Sequence, residues 1–505
     1  MIDRRTFLLN GAAAIIGASQ ARAQSDMDSM PMPGMDGMQS GHDGMDMTGA
    51  APELPEGEEL RELPRLVNQS SQAGSFEANL NAEPATARFV DGLETPVLSY
   101  NGRGPGLLIE ATEGDKVSIV FGNRIPDEPS TIHWHGMPVP ADQDGNPMDP
   151  VASGSDRQYA FELPEGSAGT YWYHPHPHGF TAQQVYRGLA GAFVVKPKND
   201  PIPAAYGDTP LFFTDLRLAP DGRIPPNTMA DLMNGRIGDN VLVNGQKNPM
   251  LNVSAGTRRR FRLFNATNAR FLRLSFANSP MTIIGTDGGL LEEPVAGIQD
   301  VLLAPAERLD IVVDFQAPGT MALTTMPYDH GWMGGGKPSD ESLTLMTIKV
   351  SGESKEAAPP LPTALRNIPD LGPAAVTRKF VFGEKMGMNA SGMTMDFFIN
   401  GVSFDMNRVD LQSKVGQVER WEIENPTDMD HPFHVHGTQF QLIDRTRNGT
   451  ITPAPYKAWK DTVNVARGET VGILLRQDRP GLRMYHCHIL EHEQLGMMGV
   501  VDVKA

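Results

Sequence analysis

Three copies of one short pattern constrain this chain of 505 residues more than any other feature. Asn101-Gly102 is followed by a run from Gly114 to Asn123, Asn244-Gly245 by Gly256 to Asn265, and Asn400-Gly401 by Gly416 to Asn425, with nine residues from glycine to asparagine each time. Asn-Gly favours a tight hairpin turn. Lys116-Val117-Ser118-Ile119-Val120, Arg260-Phe261-Arg262-Leu263-Phe264 and Val418-Glu419-Arg420-Trp421-Glu422-Ile423 carry the alternation and β-rich composition of strands. The asparagines stand 143 and 156 residues apart, the size of a domain. With 52 Gly, 41 Pro and no long helical period, the chain is expected to be all-β and to form three sandwiches.

A second repeat joins only the outer two domains. Gly169-x-x-x-Tyr173-His174-x-His176 matches Gly481-x-x-x-Tyr485-His486-x-His488, and His133-Trp134-His135-Gly136 matches His434-Val435-His436-Gly437. Successive side chains of a strand point to opposite faces, so His486 and His488 project one way and Cys487, the only cysteine, the other. One tripeptide can then serve two metal sites, joined by a covalent path on the order of 10 Å. Cysteine with two histidines and a weak axial methionine is the ligand set of a blue-copper centre. His431 falls on the face opposite His434 in an extended run, where it can join Cys487, His492 and Met497.

The remaining histidines pair as His133 with His135, His174 with His176 and His434 with His436. Thirteen histidines spread at random would give about 0.3 His-x-His pairs; five occur, counting His176 with His178. Eight histidines in four pairs suffice for a three-metal cluster, clamped between domains one and three, while domain two acts mainly as a spacer. His42, His178 and His330 lie outside the pattern and are left unassigned.

Met1 to Ala23 has the form of an export signal, with Arg4-Arg5-Thr6-Phe7-Leu8, an apolar run and Ala21-Arg22-Ala23 as a small-x-small cleavage site. The paired arginines point to the twin-arginine machinery and to a periplasmic destination. The formal net charge is −18 and becomes more negative without the leader, which argues against nucleic acid as a partner. A lone cysteine in an oxidising compartment cannot form an internal disulfide, and its setting argues for a ligand. From Gln24 to about Glu59 the chain is polar and low in complexity, so it is expected to be disordered. Its seven methionines, from Met27 to Met47, have thioethers that select Cu(I).

These motifs resemble the three-domain bacterial multicopper oxidases of the laccase and cuprous oxidase branch, over roughly residues 60 to 505. The resemblance implies cupredoxin-like Greek-key sandwiches at 60–198, 199–358 (without copper ligands) and 370–505. It implies four copper ions: type 1 on His431, Cys487, His492 and Met497; type 2 on His133 and His434; and a type 3 pair on His135, His174, His176, His436, His486 and His488. Electrons would enter at Cys487 and pass through His486 and His488 to the cluster, where O2 takes four of them. Asp144 and Glu493 match acidic residues that manage protons near the cluster. The reductant would be Cu(I) or a small aromatic compound, with a role in copper resistance.

Met386, Met388, Met393 and Met395 form less than the long methionine-rich lid of the cuprous oxidases, and they are candidates for a substrate copper site or for packing. Asp428, with Met429 and Asp430, is a weaker candidate for that site. A monomer is the expected state. Against a catalyst stand a copper carrier working through its tail and a cell-division relative that has lost copper. A two-domain nitrite reductase is disfavoured because it lacks the paired type 3 histidines.

Overall fold

The computed structural model describes residues 49–505 except 278, 336, 338–340, 355–356 and 390–391. The leader and the methionines from Met27 to Met47 lie outside the described residues. Six sheets pair into three sandwiches, each around its own apolar core. Among the described residues no helix is long and apolar enough to cross a membrane.

The sequence repeat has a physical basis in hydrogen bonds. Asn101, Asn244 and Asn400 have φ of 52°, 50° and 57°, and the glycines after them 67°, 79° and 77°, the left-handed pair that Asn-Gly tolerates best. Their Oδ1 atoms accept from the backbone N–H of Asn81, Phe212 and Val381, each at 2.8 Å. At the other end of the pattern, Asn123, Asn265 and Asn425 donate through Nδ2 to the carbonyls of Val151, Leu303 and Val465 at 2.8–2.9 Å. They thereby tie down the loops that lead, in the outer domains, to the histidine strands. All three domains also set a strand parallel to one distant in sequence, which a crossover connection and not a hairpin must join: Ser75–Ala87 beside Lys116–Asn123, Thr209–Leu216 beside Thr257–Asn265, and Val376–Asn389 beside Val418–Asn425.

Domains one and three each run a histidine strand antiparallel to a second one. His133–His135 pairs with Gly169–His174, setting His133 opposite His174. His431–Val435 pairs with Gly481–Cys487, setting Phe433 opposite Cys487 and His434 opposite His486. A further apolar cluster, including Trp172 of domain one, Phe264 and Ala306 of domain two and Leu490 of domain three, packs the seam where the three meet.

One boundary differs from expectation. The segment expected to be disordered to Glu59 is already ordered in its described part: Leu54 is buried, and Glu56 and Glu59 bridge to Lys247 and Met250 of domain two. Gly57 donates to the Asn248 carbonyl at 3.0 Å. Composition missed this because backbone pairing along a sheet edge asks little of the side chains.

Candidate metal centre

Two buried side-chain groups meet at the Gly481–Cys487 strand. On one side, Cys487, His431 and His492 bring Sγ and two ring nitrogens within 4.8 Å of one another, all fully buried. The Nδ1 atoms of His431 and His492 are 3.3 Å apart, and Cys487 Sγ is 3.5 Å from His431 Nδ1. Each ring is aimed by its outer nitrogen. His492 Nε2 lies 3.0 Å from the Met233 carbonyl of domain two. His431 Nε2 lies 3.0 Å from Thr427 Oγ1, whose own proton goes to Asn425 Oδ1. The outer nitrogens therefore carry the protons, and two lone pairs face each other across the gap, an arrangement that calls for a cation. Burial lowers His431 to about 3 and pushes the Cys487 thiol above its ordinary range. Met497 is buried in the same core cluster, and its carbonyl accepts from the Cys487 N–H at 3.0 Å.

On the other side, eight histidines from domains one and three converge, none of them exposed. His133 with His135 and His434, His135 again with His174 and His488, and His176 with His436 and His486 form three groups of closely set ring nitrogens, the first two sharing His135. His133 Nδ1 is 3.1 Å from both the carbonyl and Oδ1 of Asp144, and its Nε2 is 3.3 Å from His434 Nε2. His434 Nδ1 is held by the Asp461 carbonyl at 2.9 Å. His436 Nδ1 is 3.1 Å from Asp144 Oδ2, and its Nε2 is 3.0 Å from His486 Nε2. The rings of His174 and His486 are fixed through Nδ1 by the carbonyls of Pro175 and Cys487, both at 2.9 Å.

His135 is reversed. Its Nε2 is 3.1 Å from Asp461 Oδ1, and its Nδ1 has no partner. His174 Nε2 and both nitrogens of His488 also lack partners. Burial first, and neighbouring charge second, pull His135, His174, His176, His436, His486 and His488 well below their ordinary pKa. Neutral imidazoles with unpartnered nitrogens, shut off from water, fit metal ions and leave little else to satisfy them.

The two acidic candidates are also buried. Asp144 bridges His133 and His436. Glu493 sets Oε1 3.9 Å from His176 Nδ1 and finds no hydrogen-bond partner for either oxygen. Burial, reinforced by Glu491, raises its pKa well above that of an ordinary carboxyl.

The methionine candidates divide. Met386 pairs with Met395 and Met388 with Met393 across one hairpin, so all four share a face. Met386, Met388 and Met393 are exposed, whereas Met395 is 5% exposed and packs in the core cluster of domain three. Asp428 is exposed. Met429 is buried in the same core, and Asp430 is occupied by Tyr328 Oη at 2.5 Å and Asn464 Nδ2 at 2.9 Å.

Sequence reasoning missed several residues. Glu384 lies on the methionine face of the hairpin, and burial and the Asp428 charge raise its carboxyl. Asp461 and Thr462 orient His135 and His434. Arg308, from the domain read as a spacer, pairs with Asp461. None of the four stands in a motif, because each meets its partners only through the packing of separate segments.

Family models described as multicopper oxidase match residues 81–200, 215–349 and 383–505. The multicopper oxidase of Staphylococcus aureus is 32% identical over 451 residues, covering 87% of this chain and 92% of the relative. The cell division protein FtsP of Photorhabdus laumondii is 32% identical, covering 83% and 88%. Among solved structures, a multicopper oxidase from Campylobacter jejuni described as a metallo-oxidase is 40% identical with a TM-score of 0.84, covering 91% of this chain and all of that one. The chain, matched by that family in each of its three domains, belongs to the multicopper oxidases.

Proposed function

We propose that the protein is a periplasmic cuprous oxidase that couples four one-electron oxidations of Cu(I) to the reduction of O2 to water, works as a monomer and serves copper tolerance. In this reading His431, Cys487, His492 and Met497 hold the type 1 copper, His133 and His434 the type 2 copper, and His135, His174, His176, His436, His486 and His488 the type 3 pair. The observation that carries the copper assignment is the group of His135, His174 and His488, buried ring nitrogens of two domains set close together without hydrogen-bond partners. When bound, copper supplies one-electron redox chemistry and a place for O2 to receive four electrons.

The chain's own residues do the rest. Cys487 and its flanking histidines join the two sites by a short covalent path, and the Cys487 carbonyl, 2.9 Å from His486 Nδ1, couples them more directly. Asp144 orients His133 and His436 through their Nδ1 atoms. Glu493, whose carboxyl is pushed well above its ordinary range by burial, is placed to hand on protons on the His176 side of the cluster. Met386, Met388 and Met393 offer soft ligands at the surface, with Glu384 and Asp428 as acidic neighbours. The Arg4-Arg5 leader, ending near Ala23, supports export through the twin-arginine machinery.

The test compares turnover of Cu(I) and of a small phenol on the fully copper-loaded protein. A clear preference for Cu(I) is expected. Equal efficiency on both would make it a general laccase, and the absence of steady O2 uptake with either would make it a carrier.

A further inference from the structure

Domain two holds none of the eight clustered histidines, yet one of its side chains reaches their surroundings. Arg308, 1% exposed at the start of the strand Arg308–Phe315, meets all three domains at once. Its Nε donates to the Thr170 carbonyl of domain one at 2.9 Å. Its Nη1 donates to the Ala306 carbonyl at 2.7 Å and to Asp461 Oδ1 of domain three at 2.8 Å, while Nη2 donates to Asp461 Oδ2. The fork is bidentate, a geometry that lysine cannot reproduce.

Asp461 is a hub for the cluster. Oδ1 lies 3.1 Å from His135 Nε2, the backbone carbonyl holds His434 Nδ1, and Thr462 Oγ1 donates to Oδ1 at 2.9 Å. Asp287 completes the lattice, accepting from Arg308 N at 2.8 Å and pairing with Lys460 at 2.9 Å. Space is tight as well. Gly136, beside His135, has φ of 81°, and a Cβ there would overlap Asp461 Oδ2 and Arg308 Nη2.

His135 is the ring whose orientation depends most on this arrangement, because it turns Nδ1 rather than Nε2 toward its neighbours. We propose that Arg308 is a positioning residue for the three-copper cluster: by clamping the Asp461 carboxylate it decides which nitrogen His135 presents, and so makes the ligand-free domain part of the site. The inference rests on the assignment of the eight histidines to copper.

The experiment uses copper-loaded full-length protein and the variants Arg308→Lys and Asp461→Asn, the second keeping the side-chain volume in case the first folds poorly. Copper content, the electron paramagnetic resonance signals (types 1 and 2) and the visible and near-ultraviolet absorption (the blue band and the type 3 pair) are recorded with the thermal midpoint. In the parent protein, about four coppers and a type 2 signal establish the assignment on which the inference rests; without them that assignment falls, and the inference with it. In both variants the type 1 signal and blue band should persist, while the type 2 and type 3 signatures change and O2 reduction falls by about 10–100-fold. Variants with a lower midpoint but unaltered type 2 and type 3 signatures would make Arg308 an interdomain clamp only, and would overturn the inference.

Discussion

His133 and His434, 301 residues apart in sequence, bring their Nε2 atoms to 3.3 Å of each other. Each is held from behind by a different domain, His133 by Asp144 and His434 by the Asp461 carbonyl. Neither domain alone can form this pair, so the cluster depends on the docking of domain one against domain three, which also meet through Arg308 of domain two.

Cys487→Ser should abolish the blue colour and oxidase turnover while leaving the cluster in place, because only one site uses the thiolate. Metal analysis should find about three coppers per chain, down from about four. A blue, active variant would remove Cys487 from the site.

Asp144→Asn should slow O2 reduction and spare electron entry. The carboxylate touches His133 and His436, and no bond from it to His431, His492 or Cys487 is present among the described residues. A slowing of about 10–100-fold is expected. Under anaerobic conditions the blue band should bleach with reductant at close to the parent rate. Bleaching impaired as severely as turnover would refute the separation.

The hairpin methionines should behave in two ways. Met395→Ala removes a core side chain and should cost about 2–5 kcal/mol in a denaturant titration. Met388→Ala, 78% exposed, should change stability by no more than about 0.5 kcal/mol. Joint replacement of Met386, Met388 and Met393 by Leu should lower Cu(I) turnover and leave phenol oxidation nearly unchanged. Equal losses on both substrates would make these three residues structural.

Glu384→Gln tests the acidic neighbour of those methionines. Burial, with the Asp428 charge adding to it, raises the folded-state pKa above the ordinary 4.5. The folded protein therefore keeps a proton that the unfolded chain releases, and this carboxyl costs stability progressively as pH rises past about 4.5. Below that value the two proteins should have similar unfolding midpoints, and near neutrality the Gln variant should be the more stable. A gap that shrinks with rising pH would contradict the assigned environment.

Much of this site was legible from spacing because strand parity is a strong rule. His431 and His434, three apart on an extended strand, do point to different sites, and Cys487 parts company with His486 and His488 in the same way. The Asn-Gly pattern revealed three domains because each copy performs the same hydrogen bonding. What stayed hidden were groups placed by packing between segments. Arg308, Asp461 and Glu384 sit in ordinary strand-like runs, with no periodicity to tell a buried charge from a surface one. The docked stretch from Leu54 to Glu59 was hidden for a related reason, since its backbone pairs with domain two while its side chains remain mostly polar.

Four-electron reduction of O2 requires that the two buried groups act together. The most direct measurement is the number of Cu(I) ions, or one-electron equivalents of a phenol, oxidised per O2 consumed by the copper-loaded protein, with peroxide assayed in parallel. The expected ratio is four with no peroxide released. A ratio of two with stoichiometric peroxide would mean that the two groups do not deliver four electrons together.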